Sequence, residues 1–342
     1  MKKSSVLLIY TGGTIGMIKD PETDRLKAID FELIYDHVPE LKRFETEITC
    51  ISTEEPIDSS EMLPSNWLDL SELIQENYSN YDGFVILHGS DTMAYTASAL
   101  SFLIQGTKKP IILTGSQLPI GTIRTDGREN LITAIEIASA KDKFNRSIVQ
   151  EVAVYFEYQL YRGNRTHKAN ADHFEAFVSA NYPPLAEAGV HLKFNRRYCR
   201  KANEDTLQVH PKMNANITVL KLFPGITKAT VQAILKQGKT EAVLLETFGS
   251  GNAPTSKWFL DEIEAAINSG QLILNVSQCM GGTVELGRYQ TSKRLKDLGV
   301  LSAYDMSFEA ALTKLMFVLG YTKSKEKRIA LLSANLQGEM TL

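Results

Sequence analysis

Three times before residue 120 this chain runs a short apolar stretch straight into a turn of glycine and hydroxyl residues. The runs are VLLIYTGGTIG (6–16), FVILHGSDTM (84–93) and IILTGSQLP (111–119). Apolar runs of this length, closed by turn signals, read as strands. Amphipathic stretches separate them, so the pattern predicts βαβ units and a parallel sheet. Hydroxyls, bare backbone N–H groups and one Asp then collect at strand ends, where open α/β sheets bind ligands.

The alternation continues along the chain. Strands are expected at 6–10, 84–87, 111–114 and 151–156. Helices are expected at 64–78, carrying Trp67, Leu70, Leu73 and Ile74 at helical spacing, at 92–104, and at 128–140. HLKFNRRYCRKANEDTLQVHP (191–211) is polar and aperiodic and reads as an interdomain linker. Beyond it, strands at 217–222, 242–246 and 272–276 and helices at 228–236, 256–268 and 308–319 form a second unit of the same type. The expected organisation is a domain over 1–190, a linker over 191–212 and a domain over 213–342, all of the α/β class.

A chain of 342 residues can bury two ordinary cores. A net charge of −3 and the lack of a basic stripe with interleaved aromatics argue against nucleic acid as a partner. Three cysteines, Cys50, Cys199 and Cys279, are odd in number and far apart, which fits a reducing compartment better than a disulfide framework. The apolar part of MKKSSVLLIY is too short for a secretory segment, and no run approaches the roughly 18–20 residues of a membrane helix. The expectation is a soluble cytoplasmic protein that does not engage membranes.

The glycine turns do not spell a nucleotide site. The Walker spacing is absent, Gly12-Gly13-Thr14-Ile15-Gly16 lacks the G-x-G-x-x-G spacing, and Gly249-Ser250-Gly251 lacks the third glycine. His88, His167 and His173 form no metal-binding pair. No cofactor or metal is expected, and His88 reads as a hydrogen-bonding support for its loop.

Hydroxyl chemistry remains. Thr14, Ser90 and Thr92 follow two strands, with Asp91 beside Ser90 and Lys168 in the polar run YRGNRTHKANADHFEAF (161–177). A hydroxyl needs a neighbouring base to become a nucleophile, and lysine is a competent one. Bare N–H groups in the turns are suited to an oxyanion. The competing reading has Ser90 or Thr92 merely capping the helix that starts near 92. IDSSEM (57–62) divides likewise: Asp58 suits an ammonium and Ser59 and Ser60 a carboxylate, or the cluster is only a helix cap.

Taken together, TGGTIG (11–16), DSS (58–60), HGSDTM (88–93), TGSQ (114–117), RGNRTHKANAD (162–172), GSGNAP (249–254) and QCMGG (278–282), in this order, closely resemble the bacterial-type L-asparaginases, in their cytoplasmic type I group. The resemblance spans essentially the whole chain. It implies a larger N-terminal, mainly parallel-sheet domain and a smaller C-terminal α/β domain. It also implies hydrolysis of L-asparagine to L-aspartate and ammonia through a covalent acyl-enzyme, without a cofactor. By the same resemblance Thr14 is the nucleophile, and Ser90, with Asp91 and Lys168, is the second catalytic hydroxyl. Asp58, Ser59, Ser60, Ser90 and Asp91 then bind substrate. Asn252 is contributed by a neighbouring subunit of a homotetramer built from close dimers.

Three departures from the family pattern stand out. Ser90 replaces the usual Thr and loses the methyl that stiffens the rotamer. Residues 17–34 contain no Tyr to assist Thr14, which leaves Lys168 through water, or the more distant Tyr35. Allosteric type I enzymes bind a second asparagine near the cysteine matching Cys279 and use an Arg where this chain has Glu246. An altered or absent allosteric site is therefore expected. Two alternatives accompany the hydrolase reading: glutaminase side activity, and an amino-acid sensor that keeps the pocket without chemistry.

Overall fold

The computed structural model describes residues 3–19, 26–28, 35, 38–53, 55–202, 206–237 and 240–342. The chain divides into two compact units, Met1–Pro211 and Lys212–Leu342.

The first unit is built on an eight-stranded sheet. Its strands in chain order are β1 (Ser5–Tyr10), β2 (Glu47–Ser52), β3 (Gly83–Leu87), β4 (Ile111–Thr114), β5 (Val152–Phe156), β6 (Gln159–Arg162), β7 (Ala186–Ala188) and β8 (Leu192–Phe194). Across the sheet the order is β8-β7-β6-β5-β4-β3-β1-β2. β2, β1, β3, β4 and β5 pair in parallel, and β6, β7 and β8 add an antiparallel flank. Val6, Leu7, Leu8 and Ile9 are all fully buried, as are Phe84, Val85, Ile86 and Leu87. Burial on both faces explains why these strands read as unbroken apolar runs rather than alternating ones.

Helices α1 (Pro64–Asn77), α2 (Met93–Leu103) and α3 (Gly127–Ser139) occupy the three predicted stretches, within two residues at each end. All of α2 except Tyr95 is buried. Its small polar residues are satisfied inside the core: Ser101 Oγ donates to Ala97 O (2.7 Å) and Ser98 Oγ to Gly163 O (3.4 Å). The second unit carries a parallel sheet of β9 (Ile217–Lys221), β10 (Ala242–Thr247), β11 (Leu272–Ser277) and β12 (Leu301–Ser302). Its helices are α4 (Lys228–Gln237), α5 (Lys257–Asn268), α6 (Gln290–Leu298), α7 (Phe308–Tyr321) and α8 (Lys325–Ser333). Among the described residues no helix is long and apolar enough to cross a membrane.

The expected linker over 191–212 is a correction. Residues 191–211 belong to the first unit, which ends at Pro211. Leu192 and Phe194 lie on an edge strand and pack on the core, with Tyr198 and Cys199 behind them. The Arg200 N–H donates to buried Glu151 (2.6 Å) and the Ala202 N–H to Gln150 (3.1 Å). Gln208–Val209 then pairs with Ile104–Gln105. An edge strand buries only one face and contributes few apolar residues, so its sequence resembles a linker. Glu151 holds this segment through a second contact: its carboxylate accepts Arg162 Nε (2.6 Å), and the Arg162 guanidinium stacks 4.2 Å from the Tyr182 ring.

The second unit locks its C-terminus with a fully buried pair, Lys314 Nζ to Glu339 Oε1 at 2.7 Å. Burial lowers the Lys314 pKa, partly offset by Glu339. Lys314 also donates to the Leu332 and Ala334 carbonyls, and Glu339 accepts the N–H groups of Leu336 and Gln337. Removing one partner strands a buried charge. Glu339→Ala is expected to destabilise this unit by about 3–5 kcal/mol, measured by urea unfolding. An unchanged midpoint would show that the pair contributes nothing.

Candidate active site

The sheet order places a switch point between β1 and β3. β1 connects outward to β2 on one side, and β3 connects onward to β4 on the other. Chains leaving adjacent strand ends in opposite directions open a crevice at the carboxyl edge. The TGGT and HGSD turns lie on either side of it.

Glycines let the turns close on one another. A Cβ on Gly12 (φ +130°) would lie 2.2 Å from Ile57 O, and one on Gly13 (φ +88°) 2.4 Å from Gly89 N. A Cβ on Gly89 would meet Ser59 Oγ at 2.5 Å, and one on Gly115 would meet His88 O at 2.3 Å. No side chain fits these spaces, and the positive φ at Gly12 and Gly13 disfavours any other residue. The turns after β1, β3 and β4 and the DSS turn therefore stack backbone on backbone. Thr14 and Ser90 each follow a glycine of the Gly13–Gly89 contact. Thr14 opens a short 3₁₀ turn, Thr14–Gly16.

His88 braces the stack. It is fully buried, with Nδ1 2.7 Å from Gly89 O and Nε2 2.9 Å from Thr96 Oγ1, which also accepts Trp67 Nε1 at 2.9 Å. Nδ1 can only donate to a carbonyl, so Nε2 accepts the Thr96 hydroxyl and the ring is neutral. Burial pushes its pKa down to about 4.

The structure brings the Ser90, Asp91 and Lys168 side chains together. Lys168 Nζ donates to Ser90 Oγ (2.8 Å) and to Asp91 Oδ1 (2.5 Å). Lys168 is mostly covered, whereas Asp91 is exposed. The Ser90 hydroxyl donates to Gln117 Oε1 (3.3 Å), and Gln117 Nε2 donates to the carbonyls of Ala171 and His173 (3.0 Å each). Ser90 is therefore no helix cap. Thr92 is the N-cap residue of α2 but makes no capping bond; its hydroxyl donates to Ser59 O (2.6 Å) and ties the DSS turn to the second turn.

The DSS cluster caps a short turn of its own and not the helix that follows. Asp58 caps the short turn Ser59–Glu61, with Oδ1 accepting Ser60 N (2.9 Å) and Ser60 Oγ (2.8 Å). These bonds lower the Asp58 pKa. Asp58 and Ser60 stay exposed, Ser59 is buried under Gly89, and α1 begins separately at Pro64.

The sequence reading assigned no role to the residues that hold Gln117. Buried Asp126 accepts the Gln117 N–H (2.9 Å) and the Leu118 N–H (3.1 Å), and Asn130 Nδ2 donates to Gly115 O (3.0 Å). Both lie in RTDGREN, a polar run that opens a helix and looks like an ordinary start. Tyr35 is ruled out as the partner of Thr14. Its ring packs on the core and its hydroxyl donates to Ile48 O (3.4 Å), near the amino end of β2. Most of the segment where a loop Tyr was sought, 17–34, lies outside the described residues.

In the second unit, Asn252 Oδ1 accepts the Thr291 hydroxyl (2.7 Å). Glu246, on β10, accepts Lys221 Nζ at 2.9 Å, so its charge is paired rather than open to a ligand. Cys279 is exposed just after β11, and its N–H donates to Ser277 Oγ (3.0 Å).

Two family models cover the chain: "Asparaginase, N-terminal" over residues 5–200 and "Glutaminase/Asparaginase C-terminal domain" over 216–332. The chain belongs to the asparaginase family. It is 42% identical to L-asparaginase 1 of Escherichia coli K12, over all of this chain and 99% of that protein. It superposes on the crystal structure of L-asparaginase I from Vibrio cholerae with a TM-score of 0.91 and 39% identity, covering 100% of both chains. It is also 38% identical to the mouse 60 kDa lysophospholipase, over 98% of this chain but 62% of that longer protein. Family membership thus spans more than one named activity, and the strand-end chemistry carries the functional argument.

Two predictions follow from the packing. Gly13→Ala is expected to lower kcat at least tenfold while leaving far-ultraviolet circular dichroism unchanged, because a Cβ there pushes the Thr14 and Ser90 turns apart. Wild-type activity in this variant would show that the contact is dispensable. The second concerns His88. Its folded pKa lies below the ordinary 6.5, so as pH falls below 6.5 the unfolded chain takes up a proton that the native state refuses. Stability is lost between pH 6.5 and 4, by about 3 kcal/mol in total at roughly 1.4 kcal/mol per unit. Urea midpoints at these pH values, compared with His88→Gln, measure the loss; equal pH dependence in both proteins would remove His88 as its source.

Proposed function

We propose that this protein hydrolyses L-asparagine to L-aspartate and ammonia through a threonine acyl-enzyme. The observation that carries the reading is the Lys168 side chain hydrogen-bonded to both Ser90 and Asp91, which lie on the turn packed directly against the Thr14 turn. The Thr14 hydroxyl attacks the side-chain amide carbon, and the turn N–H groups receive the charge that develops on oxygen. The C–N bond breaks, ammonia leaves carrying the proton taken from Thr14, and water then cleaves the ester to release aspartate and restore the hydroxyl. The Ser90–Lys168–Asp91 relay moves the protons in both halves. Asp58 takes the substrate ammonium on its exposed side, Ser59 and Ser60 define the carboxylate end, and Asp91 also contacts the ammonium.

Ammonia release from asparagine is the direct test. Thr14→Ala is expected to lower kcat by about a thousand-fold or more, and Lys168→Met by about 100- to 10,000-fold. Unchanged hydrolysis by Thr14→Ala would refute the nucleophile assignment, and wild-type binding without hydrolysis would favour a sensor. Glutamine is longer by one methylene, a difference worth only ~1–3 kcal/mol, so slow glutaminase activity is expected beside the main one.

The working assembly is a cytoplasmic homotetramer of close dimers in which Asn252 reaches a neighbouring subunit's site. Mixing inactive Thr14→Ala and Asn252→Ala chains under exchange conditions is expected to restore activity; failure to restore it would place Asn252 in its own chain's site. With Glu246 standing where allosteric relatives use an Arg, the allosteric asparagine site beside Cys279 is altered or absent, and rate rises hyperbolically with asparagine. A sigmoidal curve made hyperbolic by Cys279→Ala would overturn this.

A further inference from the structure

In the second unit the turn after β10 is held from several sides. The Phe248 N–H donates to Asn252 O (3.0 Å), and the Asn252 N–H donates back to Phe248 O (2.8 Å). Gly249 O accepts Ser277 Oγ (2.6 Å), and Ser250 O accepts the Glu285 N–H (3.0 Å). Gly251 (φ +106°) is packed tightly: a Cβ there would lie 3.0 Å from Val284 Cγ1 and 3.3 Å from Asn275 Nδ2. Each of these contacts comes from the same unit, so the backbone that carries Asn252 is set without help from another chain.

One further bond reaches the Asn252 side chain. Thr291, the second residue of α6, donates its hydroxyl to Asn252 Oδ1 (2.7 Å). The start of α6 has its own polar support in Ser292. Ser292 Oγ accepts the N–H groups of Gly287 (3.2 Å) and Tyr289 (3.3 Å) and donates to Tyr289 O (3.1 Å). The Thr291 hydroxyl is thus directed at Asn252 rather than at its own helix. A side-chain amide has an acceptor end and a donor end, and its terminal torsion exchanges the two at little cost. With Oδ1 turned to Thr291, the N–H₂ end is the one that half-buried Asn252 presents, and among the described residues nothing accepts from it.

We propose that Thr291 is a positioning residue for Asn252, fixing its amide so that it enters the substrate site as a hydrogen-bond donor. The inference rests on the reading of Asn252 as a contributor to a neighbouring subunit's site. A donor serves a carboxylate oxygen there and has nothing to offer the substrate ammonium. A donor already fixed also spares the complex the entropy of ordering that side chain when substrate arrives.

Calorimetric titration of the full chain with L-aspartate, the product, reads this without turnover. Thr291→Val keeps the branched shape and loses the hydroxyl, and is expected to weaken aspartate about three- to tenfold, the range of one hydrogen bond. Thr291→Ser keeps the hydroxyl and is expected to bind as the wild type does. Added to Asn252→Ala, Thr291→Val should weaken binding no further, because it acts only through Asn252. Asn252→Asp exchanges the donor for a second acceptor and should bind aspartate more weakly than Asn252→Ala. Wild-type affinity in Thr291→Val beside a weakened Asn252→Ala would overturn this inference alone. So would a Thr291→Val loss that persists in the Asn252→Ala background, or one that Thr291→Ser shares. Binding by Asn252→Asp as tight as that by Asn252→Ala, or tighter, would refute the donor assignment. Wild-type affinity in Asn252→Ala would remove Asn252 from the site, and the role of Thr291 with it.

Discussion

The carboxyl edge of the large sheet depends on close contact between turns, backbone on backbone except where Gly89 meets the Ser59 side chain. Gly12 lies against Ile57, Gly13 against Gly89, Gly89 against Ser59 and Gly115 against His88, each closer than any Cβ permits. The parallel core makes these contacts possible. β1, β3 and β4 are in register, so their carboxyl ends finish side by side, and the chain must turn there without side chains in the way. The hydroxyls are carried by the residues next to those glycines. Side chains from segments more than 70 residues apart in sequence, such as Ser90 and Lys168, are thereby held at hydrogen-bond distance.

Beneath the turns lies a layer of buried polar groups, nearly every one paired. His88, Thr96 and Trp67 form one chain, and Asp126, Asn130 and Gln117 form another. Each unpaired member would cost roughly 1–3 kcal/mol. The two networks therefore fix which way the loops face as well as stabilising them. The Gln117 amide shows this: its N–H groups are spent on two carbonyls, so its oxygen must face Ser90. At rest the Ser90 proton points to Gln117 while the Ser90 oxygen accepts from Lys168.

Legibility in the sequence followed burial. Strands buried on both faces and helices with one apolar stripe announced themselves, and β1, β3, β4, α1 and α3 lie within two residues of expectation. Half-exposed elements did not. The edge strand Leu192–Phe194 and the charged helix Gln290–Leu298 have few apolar residues, and Lys325–Ser333 gathers its own in one run, so none shows a clear period. At the candidate site, the ordered motifs single out Thr14, Ser90, Asp91 and Lys168 as candidates, whereas Asp126 and Asn130 are hidden in what reads as a plain helix start. Tyr35 was a candidate by sequence distance alone, and its hydroxyl lies instead on the Ile48 carbonyl.

The sequence by itself determined the α/β class, the strand-to-glycine-turn grammar and the types of side chain that stand at the strand ends. These follow from local apolar periodicity and from residue type, both written in short windows. Only the tertiary structure decided that Ser90 meets Lys168 rather than capping α2, that Thr92 serves the DSS turn, that Glu246 is neutralised by Lys221, and that residues 191–211 are part of the first unit. Each of these depends on a partner distant along the chain, and the geometry that selects one partner over another exists only once the sheet has set its strands side by side.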